Sequence, residues 1–381
     1  MQKIVFLLTT IIVLAACKNT NSNDSVESVV SSGEKITEIK YANGFEIRSF
    51  GNYKTISLKN PWPGTDKTFT YALVEKGTTP PNAENFDAIV EMPIKRIVVT
   101  STTHIPSLEM LDETNSLVGF PNLDYISSEK TRKNIGKGKI TELGRNEAIN
   151  TEILIDLKPD AVIGFAIDGN NSTFNTIEKL GVPVLYNSDW TETSPLGKAE
   201  WIKFFGVLFN KEKKADSIFK TIETAYITAK KIASQAKTKP TVISGAMYKD
   251  VWYIPQGDSW GAQFIADANG DYLWQDTKGT GSLSLNLESV LEKGYEAEFW
   301  IGPGQFTNFD EMKNASKAYA QFKAFKNGNV FTYSLKKGET GGVIYFELAP
   351  NRPDLVLKDL IKILHPELFT EYELYFFDKL Q

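Results

Sequence analysis

Hydrophobic and polar residues change their period several times along this chain, and each change predicts an element. From Ile36 to about Met92 they alternate. "EIKYANGFEIRSF" sets Asn-Gly between two alternating runs, a strong hairpin signal, and "YKTISLKNPW" and "KTFTYALVEKG" add strands on either side of "PWPGTD". At Pro93 the pattern changes. "KRIVVTS" is a short continuous apolar strand, "HIPSLEMLDE" a helix and "SLVGF" another strand. The helix "NTEILIDLK", the strand "DAVIGF", the helix "NSTFNTIEKLG" and the strand "PVLYN" follow. Strands alternating with helices predict an α/β lobe with a largely parallel sheet over residues 93–208.

Lys211 to Ala236 is dense in Ala, Lys, Glu and Ile, and Ile218, Ile222, Ala225, Ile227 and Ala229 form a helical stripe. About 25 residues at 1.5 Å each give a rod of roughly 40 Å, long enough to run along two lobes. This bridging helix is placed at 209–238. After Pro240 the alternation restarts, with strands "TVISGAMY" and "VWYIPQ", the helix "SWGAQFIADAN" and the closing helix "RPDLVLKDLIKILHPELF". The predicted fold class is therefore α/β: two lobes with mostly parallel sheets, the second at 239–381, bridged by a single long α-helix, with a small β-rich lead-in at 36–92.

One unit is written twice. "NTEILIDLKPDAVIGF" begins at Asn150 and "NLESVLEKGYEAEFWIG" at Asn286. Each reads Asn, any residue, Glu, a short helix, a turn and an apolar strand. The acids are Glu152 and Glu288, and 288 − 152 = 136 positions separate them. Taken singly, an acid in the first turn of an Asn-capped helix needs no more than the helix dipole to explain it.

Composition changes this picture little. The hydrophobic share is 41%, the charged share 23% and the net charge −5, with no clustered basic excess of the kind nucleic acid calls for. The N-terminus adds more. "MQKIVFLLTTIIVLAAC" carries Lys3, an apolar run from Ile4 to Ala16, and Cys17, the sole cysteine. The run is short for a membrane span and has the shape of a signal peptide, assigned to residues 1–16. "LAAC" resembles the lipobox of bacterial lipoproteins, which implies lipidation at Cys17 and a membrane anchor outside the cytoplasm. The Ser- and Asn-rich stretch up to residue 35 reads as a flexible tether.

Together, "KRIVVTSTTHIPSLEMLDE", the two repeated units and "RPDLVLKDLIKILHPE" resemble the substrate-binding proteins of ABC importers for iron complexes and cobalamin. The resemblance spans about residues 93–370. It implies a monomer that carries a small-molecule metal chelate to an ABC permease and its ATPase. It also implies that Glu152 and Glu288, one per lobe, dock onto basic residues of the permease. The periplasm is the expected location, and no cofactor or resident metal ion is expected. With two His and one Cys, the chain lacks the soft ligands that a bare transition-metal ion wants.

Ligands of open α/β sheets bind beyond the carboxyl ends of strands. The cleft candidates are therefore His104, Tyr125, Arg145, Phe165, Trp190, Tyr248, Trp252 and Trp260. Phe165 stands where cobalamin binders of this family carry an aromatic residue. Arg145 stands where some siderophore binders use a guanidinium, which suits ligand oxygens. His104 has three readings, an axial ligand to a cobalt or haem iron, a hydrogen-bond donor to the cargo, or an ordinary histidine at a helix start. For each aromatic residue, core packing is the competing reading. The cargo stays open among ferric siderophore, haem and corrinoid.

A rival reading comes from "GDSWG", in which Gly257, Ser259 and Gly261 form a G-x-S-x-G pattern after a strand and before a helix, as in a serine hydrolase. Only His365 follows the serine in hydrolase order. The binding-protein reading assigns no catalytic residue. A signalling lobe or adhesin would differ by having no permease and ATPase encoded beside it.

Overall fold

The computed structural model describes residues 34–381. The signal peptide, Cys17 and nearly all of the tether lie outside the described residues. Among the described residues no helix is long and apolar enough to cross a membrane.

The lead-in is one five-stranded sheet of β1 (Glu34–Ile36), β2 (Phe45–Phe50), β3 (Tyr53–Lys59), β4 (Thr68–Glu75) and β5 (Ala88–Met92), paired in that order. The tight hairpin is not at Asn43-Gly44. It is at Gly51-Asn52, between the paired residues Phe50 and Tyr53, with Gly51 at φ +62°. A two-residue turn needs that left-handed backbone. The N–H groups of Asn43 and Gly44 instead both donate to Glu192 at 2.9 Å. A Cβ on Gly44 would stand 2.7 Å from the Trp201 ring, so close approach, not turn geometry, requires the glycine. Phe45, Ile47, Ile56, Leu58, Tyr71 and Leu73 pack into the same apolar core as the lobe that follows. Residues 92–93 mark a change of chain pattern and not a break in packing.

The first lobe holds β6 (Ile97–Val99), β7 (Leu117–Phe120), β8 (Thr141–Glu142), a small ribbon of β9 (Gly144–Arg145) and β10 (Ala148–Ile149), then β11 (Ala161–Gly164) and β12 (Val184–Tyr186). Its sheet is wholly parallel, in the order β12-β11-β6-β7-β8. The second lobe holds β13 (Thr241–Ser244), β14 (Ala246–Tyr248), β15 (Val251–Pro255), β16 (Asp271–Tyr272), β17 (Ser282–Leu285), β18 (Phe299–Ile301), β19 (Val330–Thr332) and β20 (Asp378–Lys379). Its main sheet runs β16-β13-β18-β19-β20, parallel except for β20, and β14-β15-β17 form an antiparallel flap. The order β7-β6-β11-β12 of one lobe is thus the order β16-β13-β18-β19 of the other. The duplicated text delivers β11 and β18 to equivalent places.

The long helix spans Glu212–Ala233, 22 residues, or about 33 Å. It buries Ala215, Phe219, Ile222, Tyr226, Ala229 and Ala233, an unbroken alternation of four- and three-residue steps. Phe219 and Ile222 join the core of the first lobe, while Tyr226, Ala229 and Ala233 join that of the second. The helix passes from one core to the other within a single turn. Of the residues in the predicted stripe, Ile227 is exposed and Ile218 lies at its margin. Phe219 and Tyr226, one position away in each case, take the buried places.

Candidate functional site

In both lobes the parallel strands end toward open hollows. In the first lobe, Thr100, Ser101 and Thr102 after β6, Asn122 and Tyr125 after β7, and Phe165 after β11 line a cavity of about 680 Å³. Val343, Phe346 and Glu347 of the second lobe close its far wall. A second hollow of about 870 Å³ lies at the ends of β13, β18 and β19, walled by Met247, Tyr248, Tyr253, Phe306 and Tyr333. Phe346 of the first hollow and Tyr333 of the second are ring neighbours, 5.3 Å between centroids. The two hollows are therefore adjoining halves of one inter-lobe cleft. Another groove, between the long helix and helix Pro353–Leu364, lies away from every strand end.

Four of the eight cleft candidates line these hollows. Tyr125, Arg145 and Phe165 face the first and Tyr248 faces the second. Tyr125 and Tyr248 are about two-thirds exposed, at 66% and 67%, far more than packing would leave open. Trp190 stands behind Phe165, 5.9 Å ring to ring, with its Nε1–H donated to the carbonyl of Ala166 at 3.2 Å. Trp260 sits where the lobes meet, half-buried, with Lys198 Nζ 5.2 Å from its ring and Tyr345 stacked at 6.2 Å.

Two candidates require correction. Trp252 is fully buried, stacked on Trp300 at 5.2 Å with its Nε1–H donated to Ser244 O at 3.0 Å. Its place in β15 points it into the core, since side chains alternate between the two faces of a strand. His104 is also fully buried, against Phe205, and lines neither hollow. Burial holds its imidazole down to about 4, against smaller opposing effects of Asp189 and Asn187. The ordinary-histidine reading fits this placement, and an axial ligand would need a ring that reaches the cargo.

Glu152 and Glu288 are exposed, each at the second position of its helix. A helix that returns to a parallel strand starts at the carboxyl end of the sheet. Both acids therefore stand on the edge of the molecule that carries the cleft. Asn146 and Glu147, a few residues before Glu152, line the cleft itself.

The G-x-S-x-G stretch has a structural cause at Ser259 and at Gly257. Ser259 is buried, and its Oγ caps helix Trp260–Asp267 by accepting the N–H of Ala262 at 3.2 Å. A Cβ on Gly257 would come within 2.3 Å of the Thr277 carbonyl. His365 is buried too, its Nε2 3.3 Å from the carbonyl of Asn269.

The sequence reading missed Met247, Tyr253, Phe306, Tyr333, Phe346 and Glu347. One signal for part of this set was present: "GETGGVIYFEL" places adjacent glycines just before an aromatic and acidic helix start.

The chain is similar to an uncharacterized lipoprotein of Methanocaldococcus jannaschii, 28% identical over 384 residues, covering 94% of this chain and 89% of that protein. Among solved structures it is similar to a possible iron-binding (periplasmic solute-binding) protein of Staphylococcus epidermidis. The TM-score there is 0.56 at 19% identity, covering 72% of this chain and 99% of the other. It is likewise similar to a periplasmic heme-binding protein of Roseiflexus sp. RS-1, with TM-score 0.52 at 17% identity, covering 70% and 99%. These structural likenesses bear on the fold, two lobes and a connecting helix. Residues 97–335 match the family model described as periplasmic binding protein, and the chain belongs to that family.

Proposed function

We propose that this protein captures a metal chelate in the inter-lobe cleft and delivers it to an ABC permease, which its ATPase drives. The observation that carries the reading is the pair of adjoining hollows at the strand ends, one partly polar around Arg145 and one with Tyr248, Tyr253, Phe306 and Tyr333 among its walls. A pre-chelated metal presents an organic shell that such walls suit, with the guanidinium of Arg145 donating to its oxygens. The two structural neighbours, a possible iron-binding protein and a heme-binding protein, agree with this cargo class. Glu152 and Glu288 dock to the permease, one from each lobe. A lipid on Cys17 holds the protein, as a monomer, at the outer face of the membrane, and the lipoprotein name of the relative supports that anchor. The cargo is a ferric siderophore, haem or a corrinoid.

Intrinsic tryptophan fluorescence tests the reading. Titration with cobalamin, haemin and a panel of ferric siderophores, with metal-free siderophores as controls, should give saturable quenching by one class at micromolar or tighter affinity. Trp190, beside Phe165, is the expected reporter. No response to any member of the panel would reject a metal chelate as cargo.

A further inference from the structure

The second hollow differs from the first in its charge. Among the described residues that line it there is no lysine or arginine, and Glu311 is the one charged group. Four aromatic residues share those walls, Tyr248, Tyr253, Phe306 and Tyr333. Strand register puts two of them on one face. Ala246 pairs with Tyr253 and Tyr248 with Val251. Direct partners share a face, so the flap turns Tyr248 and Tyr253 to the same side and Trp252 to the other. Tyr253 stays 42% exposed and Tyr248 more so, which leaves both rings free of the core. Glu311 is ionised. Its carboxylate accepts the N–H and the hydroxyl of Thr307, both at 2.9 Å, and these bonds hold it below the ordinary carboxylate range. The bonds close the start of helix Phe309–Ala315, a role that glutamine can also fill. Capping therefore explains an acceptor at this position, but not a full negative charge among aromatic walls.

We propose that the second hollow is a subsite for an organic cation, an ammonium group held against the tyrosine rings with Glu311 as its counter-charge. That this cation is one arm of a chelate rests on the cargo reading above, whereas the cation site itself does not.

The chemistry of the walls gives the sign. The face of an aromatic ring carries negative partial charge, so a cation against it recovers part of the solvation it loses on leaving water. A carboxylate in the same hollow adds a full opposite charge, felt more strongly where water is thinned. An anionic group would meet both with the wrong sign, and a neutral one would gain nothing from Glu311. The chain supplies its own example at the rim: Lys249, on the turn of the flap, holds Nζ 5.5 Å from the centroid of Tyr248. An ammonium group fills only a small part of about 870 Å³, so the rest of the ligand extends beyond it. The way out runs past Tyr333 and Phe346 into the first hollow, where Arg145 stands. A ligand that spans both is thereby oriented, with its oxygen-rich part at Arg145 and its cationic arm at Glu311.

Saturation-transfer NMR on the cargo-free protein tests the site with choline and its uncharged analogue, in which a tert-butyl group replaces the trimethylammonium. The two probes share a shape and differ in charge. Choline should bind saturably and on the order of tenfold tighter than the analogue. Glu311→Gln, which can keep the bonds to Thr307, and Tyr253→Leu should each remove most of that preference, with the unfolding midpoint of Glu311→Gln close to that of the wild type. Equal binding of the two probes, no binding of choline, or a preference that survives both substitutions would overturn the cation site. A second titration ties the site to the cargo. Tryptophan quenching is compared for the ferric complex of a linear trihydroxamate that ends in a free ammonium and for its N-acetylated form. The ammonium form should bind on the order of tenfold tighter, and equal affinities would overturn the assignment of this subsite to a cargo arm. If neither complex bound while the choline preference held, the chelate reading would fail and the cation site would stand.

Discussion

Glu152 and Glu288 occupy one position in two copies of one unit. Each is the second residue of a helix closed by an asparagine, with Asn150 Oδ1 accepting the N–H of Ile153 at 3.1 Å and Asn286 Oδ1 that of Ser289 at 2.8 Å. Each cap accepts one first-turn N–H without help from the glutamate. The acids are thus free of a capping role and face solvent. Reversing both, Glu152→Arg with Glu288→Arg, should reduce cargo uptake in cells to background while cargo affinity stays within about twofold, because rim charges guide encounter and register more than they hold ligand. A comparable loss of affinity would place these residues in the binding site instead.

Ser259 illustrates how a motif can be explained by local structure. Its hydroxyl is committed to the N–H of Ala262, so Ser259→Ala should cost about 1 kcal/mol of stability, the usual value of a lost cap. Chemical denaturation reads that change. Ester hydrolysis by the wild type that vanished in Ser259→Ala, with folding intact, would restore the hydrolase reading.

His104 gives the fold a titration signature. Among the described residues neither ring nitrogen meets a partner with full hydrogen-bond geometry, and burial, which outweighs the weak help of Asn187, keeps the ring neutral down to about 4. The unfolded chain, with its histidine near 6.5, takes up a proton that the folded chain refuses. This stability is therefore present above pH 6.5 and is lost as pH falls through 4, on the order of 3 kcal/mol by the lower value. His104→Phe, beside Phe205, should lose less stability between pH 7 and pH 4.5 than the wild type does in urea melts. Parallel losses in the two proteins would remove His104 from the acid response.

The lobes, the bridge and the paired glutamates were legible because each rests on local text: apolar runs, a 3.6-residue stripe, Asn-x-Glu. Arg145, Phe165, Tyr125 and Tyr248 were legible for a related reason, since strand ends face the cleft whatever the loop does next. His104 and Trp252 were not. Both lie close to strand ends, and whether such a side chain turns outward or inward depends on packing partners as far away as Phe205 and Trp300. Tyr333, Phe346 and Glu347 enter the cleft through a contact between lobes. Glu347 and Ser127 are 220 positions apart, and no periodicity encodes that distance.

The same limit hid the role of the lead-in, which leads to a last prediction. Glu200 is fully buried and accepts the N–H groups of Lys40, Tyr41 and Ala42 at 2.6–3.0 Å, while Lys203 Nζ donates to it at 2.9 Å. One carboxylate thus pins the strand entry of the lead-in to the first lobe. Glu200→Ala would leave three backbone donors and a buried ammonium without that partner. The expected cost is about 3–5 kcal/mol, the range for breaking a buried ion pair from one side. Glu200→Gln keeps the shape and one acceptor oxygen and should cost less. If the lead-in were an independent appendage, denaturation of Glu200→Ala would separate into two transitions, with the midpoint of the larger one unchanged. If it is part of the first lobe, as the shared core requires, one cooperative transition should shift as a whole.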